Sequence, residues 1–104
     1  MRTIDLNESM NKVELLFLNM GIKREGIIMY SKDDALQFID ECKKQHVVIL
    51  GIDGFYLTHT TVQPSMENSV DFSNEPFDEA LYQDAIRFLE KRDPNLHFEI
   101  VCGE

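Results

Sequence analysis

Three histidines, two cysteines and an aspartate set between glycines are the residues of this 104-residue chain best suited to chemistry. His46, His59 and His97 fall in separate segments, and none has the i,i+4 or HExxH spacing that holds a metal. They are expected to be structural or surface residues, so no metal site is expected. Asp53 and His59 can be drawn as a general-base pair. No nucleophile or oxyanion device accompanies them: the chain has no GxSxG elbow, no Walker loop and no GxGxxG turn. Neither an enzyme nor a cofactor is expected. Cys42 and Cys102 form no CxxC pair and read as reduced, buried thiols that pack like small hydrophobes. A disulfide between them would join the second helix to the closing strand, and the spacing gives it no support.

Asp53 sits in "VVILGIDGFYL", residues 47–57, and has three readings. Asp-Gly after an apolar run is a strong hairpin signal, in which Asp53 serves only as a turn residue. A buried Asp53 would need donors from Gly54 or neighbouring amides. On a strand bent at the two glycines, Asp53 would instead point at a partner. Tyr56 and Phe72 are then the natural aromatic anchors beside it, although core packing is the ordinary role of either ring alone.

The elements that position these residues follow from periodicity. In "LNESMNKVELLFLNMG", Leu6, Met10, Val13, Phe17 and Met20 recur at spacings of four and three, with Leu16 beside them, which predicts a helix. Asn7 or Ser9 would cap its start and Gly21 its end. "KREG" reads as a polar turn, and residues 27–30 as a short extended approach. "SKDDALQFIDECKKQ" predicts a second helix, capped by Ser31, with Asp33 and Asp34 at its positive end and Lys43 and Lys44 at its negative end. Tyr30 would staple onto Ala35, and Ala35, Leu36, Phe38, Ile39 and Cys42 would form its buried face.

The β-branched run from Val47 predicts a strand covered on both faces, spanning about 47–58 if it passes through the glycines. Residues 63–76 are polar, hold two of the three prolines and predict a long loop, with a brief strand at 70–72. "FDEALYQDAIRFLEKR" predicts a third helix with Pro76 in its first turn and a face of Phe77, Leu81, Ala85, Phe88 and Leu89. A closing strand is expected over about 96–102. The chain is therefore expected to form one α+β domain over residues 1–104, three helices packed on a small sheet.

Charge narrows the function classes. Residues 1–50 hold eight acids and seven bases, whereas 51–104 hold eleven acids and three bases. No Lys or Arg lies between Lys44 and Arg87, a stretch that carries Asp53, Glu67, Asp71, Glu75, Asp78, Glu79 and Asp84. Such a surface repels nucleic acid and anionic lipid and attracts basic partners. Solubility and acids placed at a helix start account for the same residues without any partner. The first residues, "MRTIDLNES", have no apolar core of a secretory signal, and no run approaches the length of a membrane helix. A cytosolic, monomeric protein is expected, with no nucleic-acid or membrane partner.

The stretch "SKDDALQFIDECKKQHVVILGIDGFYL" resembles the immunity protein 40 family of bacterial polymorphic-toxin systems. The resemblance lies in Ser31, Asp34, Ala35 and Leu36 at the helix opening, then Leu50, Gly51, Asp53, Phe55 and Tyr56. "AIRFLEKRDPNLHFEIV" is similar to that family's closing helix and strand. Ile52 stands where the pattern often has Gly, and the chain has no Trp. The resemblance implies that Asp53 lies on one long bent strand. It also implies that the protein binds a cognate toxin domain and neutralises it in the cytosol. With the charge pattern, the expected toxin-facing residues are Asp53, Tyr56, Glu67, Asp71, Phe72, Glu75, Asp78 and Glu79. The alternative is an acidic adaptor or regulatory subunit with a basic partner.

Overall fold

A computed structural model of the chain describes residues 10–103. These described residues form a five-stranded antiparallel sheet with three helices, an α+β fold. In chain order the elements are α1 (Lys12–Leu16), β1 (Ile22–Arg24), β2 (Ile27–Ser31), α2 (Lys32–Gln45), β3 (Ile49–Leu57), β4 (Val62–Asp71), α3 (Glu79–Glu90) and β5 (His97–Cys102). The strands lie in the order β1-β2-β5-β3-β4, so β5 joins two hairpins.

Helix α1 opens on a capping box. The Asn11 side chain accepts from the Glu14 amide at 2.8 Å, and Glu14 accepts from the Asn11 amide at 2.9 Å. Asn7, Ser9 and Leu6, assigned above to this helix, lie outside the described residues. The helix is short, and Leu16 and Met20 are exposed rather than on a buried face. Gly21 is not a left-handed cap: it allows close approach, since a Cβ there would collide with Ile28. The left-handed residues of this segment are Glu25 and Gly26, with φ of 51° and 79°. Two successive positive φ values make the tight turn of a β1–β2 hairpin, so "KREG" is half strand and half turn.

Helix α2 follows its predicted caps, with the Ser31 hydroxyl accepting from the Asp34 amide at 3.2 Å. Its C-cap is His46, at φ 57°, which the lysine-rich end did not announce. Helix α3 begins one residue after Asp78, whose carboxylate accepts from the Ala80 amide at 2.9 Å, so Pro76 precedes the helix rather than opening it. Its buried face includes Tyr82 in place of Phe77, which is half-exposed. The Tyr82 hydroxyl reaches inward and donates to the Val47 carbonyl at 2.8 Å. Lys32 donates to the carbonyls of Glu90 and Arg92, each at 2.8 Å, tying the start of α2 to the end of α3.

The helices bury one face of the sheet. Ile49, Ile52, Phe98 and Ile100 meet Ala35, Phe38, Ile39, Leu81, Ala85 and Leu89 in one cluster. Phe17, Tyr30 and Phe38 close its edge, with Phe38 centred 5.2 Å from each of the other two rings. The opposite face carries none of the described helices, which corrects the expectation that the Val47 run is covered by them on both sides. Met29 and Phe55 are nonetheless buried outside the main cluster. β2 pairs with β5 only through Tyr30 and Ser31, and the rest of the β1–β2 hairpin extends beyond that short ladder. Arg24 on β1 donates to the carbonyls of Thr58 and Thr61 in the β3–β4 turn, so the hairpin folds over this second face.

Candidate functional site

Asp53-Gly54 is not a turn. β3 runs straight through Gly51-Ile52-Asp53-Gly54, and the hairpin turn comes at Thr58–Thr61, where the Thr58 amide donates to the Thr61 carbonyl at 3.0 Å. The glycines mark irregular pairing on both sides. Against β5 the register shifts between Ile49 and Gly51, and against β4 it jumps from Ile52↔Val70 to Gly54↔Ser65. Residues 66–69 therefore bulge out of β4. The Asn68 backbone lies directly over Gly54, where any Cβ would strike its carbonyl oxygen.

The expected long loop over 63–76 is mostly β4, and this corrects the reading above. β4 is an edge strand, so Pro64 sits where a missing amide is tolerated, opposite Phe55. Its outward positions are polar, which hides the period-2 pattern. The predicted strand at 70–72 is the end of β4, where Val70 pairs with Ile52 and Asp71 with Gly51. The bulge is held by side chains: Ser69 donates to the Ser65 carbonyl at 2.7 Å, and the Gly54 amide donates to the Ser69 hydroxyl at 3.1 Å. Asn68 also donates to the Ser65 hydroxyl at 2.9 Å.

Alternation along the strands sorts the expected site residues. Ile52 and Ile100 point into the helix-covered core, so their neighbours Asp53 and Glu99 point to the other face, directly opposite each other. Asp71 pairs with Gly51, one step along that same face. Three carboxylates from three adjacent strands, Glu99, Asp53 and Asp71, thus form a row. Sequence reading missed Glu99. The alternation Leu96-His97-Phe98-Glu99-Ile100 shows it facing away from the core, but its register with Asp53 is not visible in one dimension.

The remaining expected residues lie elsewhere. Tyr56 is 48% exposed near the bulge, with Asn68 3.5 Å from its hydroxyl. Glu67 is exposed on the bulge, but Arg92 folds back against it, donating to the Glu67 carbonyl at 3.2 Å and to the Asn68 amide oxygen at 3.4 Å. Arg92 also stacks on Phe88, 4.5 Å from the ring centre. The stretch free of bases in the sequence is therefore not free of them in space. Glu75, Asp78 and Glu79 are exposed in the connector and the start of α3. Phe72 is buried in the core, and its location supports packing rather than an anchoring role.

Electrostatics single out the row. Burial, then Asp53, then Glu14 raise the proton affinity of Glu99 above that of an ordinary glutamate. Hydrogen bonds from Ser73, including its amide at 2.8 Å, lower that of Asp71. Among the described residues the ion pairs are Lys44–Asp40 and Arg87–Asp84, so none reaches the row. His97 lies on the same face beside Arg24, its Nδ1 buried without a partner, and burial and Arg24 lower its proton affinity. His59 sits in the exposed turn, a strand's length of roughly 20 Å from Asp53 at about 3.3 Å per residue, so the drawn base pair does not form.

No group of three or more His, Cys, Asp or Glu side chains among the described residues is placed to hold a metal. Cys42 is a free thiol in the core and Cys102 a half-buried one. A hydrogen bond to Cys102, together with burial, raises the proton affinity of Cys42. No described helix is long and apolar enough to cross a membrane. No protein-family model matches the chain, and no curated protein matches it.

Proposed function

We propose that this protein is an immunity protein, which binds a cognate toxin domain with a basic surface and blocks it. The observation that carries the reading is the directly opposed pair Glu99 and Asp53, with Asp71 extending the row on the same face. Like charges directly opposite on adjacent strands destabilise a sheet. A basic partner face relieves that repulsion on binding, which is a reason for the row to exist that solubility alone does not supply. The immunity class rests on the resemblance of the Ser31–Tyr56 stretch, and the charge on the helix-free face is consistent with it. A nuclease toxin, whose cleft is basic because its substrate is, is the partner that fits best. The protein acts in the cytosol as a monomer and does not itself bind nucleic acid.

An acidic adaptor with a basic partner is the second reading, favoured by the same row without the resemblance. The two separate in cells. Co-expression with a toxin domain found encoded next to this protein's gene restores growth if the protein is its antidote, and leaves growth arrested if it is an adaptor. In vitro, the association rate of the pair is expected to fall steeply between low and physiological salt. Asp53→Asn with Asp71→Lys is expected to slow association at low salt. An unchanged rate at low salt refutes the acidic row as the contact face.

A further inference from the structure

The β1–β2 hairpin leaves β5 after two paired residues, and the departure opens a cleft of about 390 Å³. Its walls are the hairpin, the start of α1 and the edge of β5 at Glu99 and Ile100. Ile27, Ile28 and Ile100 line it, and at depth it reaches the rings of Tyr30 and Phe38. The volume falls in the range of small-ligand pockets, and such pockets combine apolar walls with a few polar groups. Here those groups are ionic: Glu14, Glu25 and Glu99 against Lys23 and Arg24. Arg24 is already committed to the carbonyls of Thr58 and Thr61. Three carboxylates therefore face two cations, of which only Lys23 has donors not already engaged with backbone carbonyls. Glu99 has the strongest need of a counter-charge, being half-buried, opposed by Asp53 across the strand pair and outside every ion pair among the described residues.

We propose that this cleft is the docking site for one arginine side chain of the protein's partner. The guanidinium meets Glu99, with Glu14 nearby, and its stem lies on Ile28 and Ile100. A cation with an aliphatic stem matches both halves of the lining. Arginine fits better than lysine because its guanidinium is more weakly hydrated, meets a carboxylate with two donors and stacks on aromatic rings. The inference rests on the reading that the partner is basic, and it names the group by which the partner is held.

The test uses the full chain and needs no toxin. N-acetyl-arginine amide is titrated while the methyl resonances of Ile27, Ile28 and Ile100 are followed by NMR, with the citrulline and lysine counterparts in parallel. The arginine probe is expected to give saturable shifts at those methyls in the millimolar range, with lysine weaker and uncharged citrulline without effect. Glu99→Gln is expected to weaken the arginine probe about tenfold, the usual scale of a hydrogen bond to a charged group. This variant also relieves the repulsion with Asp53, so it should fold at least as well as the parent. Lys23→Ala removes a competing cation and is expected to leave binding equal or tighter. Equal responses to arginine and citrulline, an unchanged affinity in Glu99→Gln, or shifts confined to Glu75, Asp78 and Glu79 would each overturn the proposal. Arginine binding without any toxin complex would instead sink the immunity reading alone. A toxin complex formed by a chain that fails the arginine test would sink the cleft alone.

Discussion

Gly54→Ala probes the close approach on which the β3–β4 bulge depends. The backbone at Gly54 lies outside the left-handed region, so alanine meets no conformational penalty there and gains about 0.5–1 kcal/mol of strand preference. The obstacle is steric. The new Cβ would strike the Asn68 carbonyl oxygen and stand 2.9 Å from the Asn68 Cβ and 3.2 Å from its carbonyl carbon. The nearest obstacle is backbone, so it does not rotate away. The bulge over residues 66–69 has to lift, which weakens the bond from the Gly54 amide to Ser69 and loosens the Arg92 contacts to Glu67 and Asn68. Overpacking of this kind costs about 1–3 kcal/mol and each lost hydrogen bond about 1 kcal/mol. After the gain in preference, a net loss of about 2–3 kcal/mol is expected, readable by urea unfolding. Arg92→Ala supplies the check. In the parent it removes contacts to an intact bulge, and in Gly54→Ala those contacts are already disturbed, so the two losses should be less than additive. A loss below about 0.5 kcal/mol, the scale of an ordinary surface change, or strict additivity would refute the reasoning.

Three further outcomes follow from contacts elsewhere in the fold. Tyr82→Phe removes the buried hydrogen bond to the Val47 carbonyl and should cost about 1–2 kcal/mol in urea unfolding, with the ring packing retained. Asn11→Ala breaks the capping box of α1 and should cost about 1 kcal/mol by thermal unfolding, whereas Asn11→Asp should keep most of it. Because His97 binds a proton less readily folded than its ordinary value of 6.5, its contribution to stability is complete above that pH and is lost as pH falls through the lower folded value. Glu99 has the opposite sign, its folded proton affinity being raised above the ordinary 4.5, so its contribution is lost as pH rises through the folded value. His97→Gln should flatten the acid-side fall in melting temperature, and Glu99→Gln should flatten the opposing trend.

Much of the fold was legible because local rules and tertiary packing agreed. Ser31 caps α2, Ala35, Phe38, Ile39 and Cys42 face the core, and β3 passes through its glycines as one strand with irregular pairing. β4 was not legible, since an edge strand with a bulge shows neither alternation nor an apolar face, and its Pro64 argues for a loop. β1 was hidden by "KREG", where the polar residues belong partly to a strand lying over another face. Phe77 was misassigned because the helix begins two residues later than its pattern suggests, and Tyr82 is buried because its hydroxyl finds the Val47 carbonyl. For the site, Asp53 was legible from its glycines. Its pairing with Glu99 was not, because register is settled by partners far apart in the chain. The return of Arg92 onto Glu67 is a relation of the same kind.

β5 lies in the middle of the sheet and follows every other described strand in the chain. Each flanking hairpin can zip up from its own turn, a fast and local event. Neither shares a ladder with the other until β5 arrives between them, so the hydrophobic nucleus has to close loops of many residues before its contacts reward it. On a ribosome, everything up to α3 emerges as two unjoined ribbons with an open slot, each offering an unpaired edge to neighbouring chains. Completion of the sheet is then a single late insertion, and a chain stopped before His97 would be exposed to aggregation rather than merely less stable.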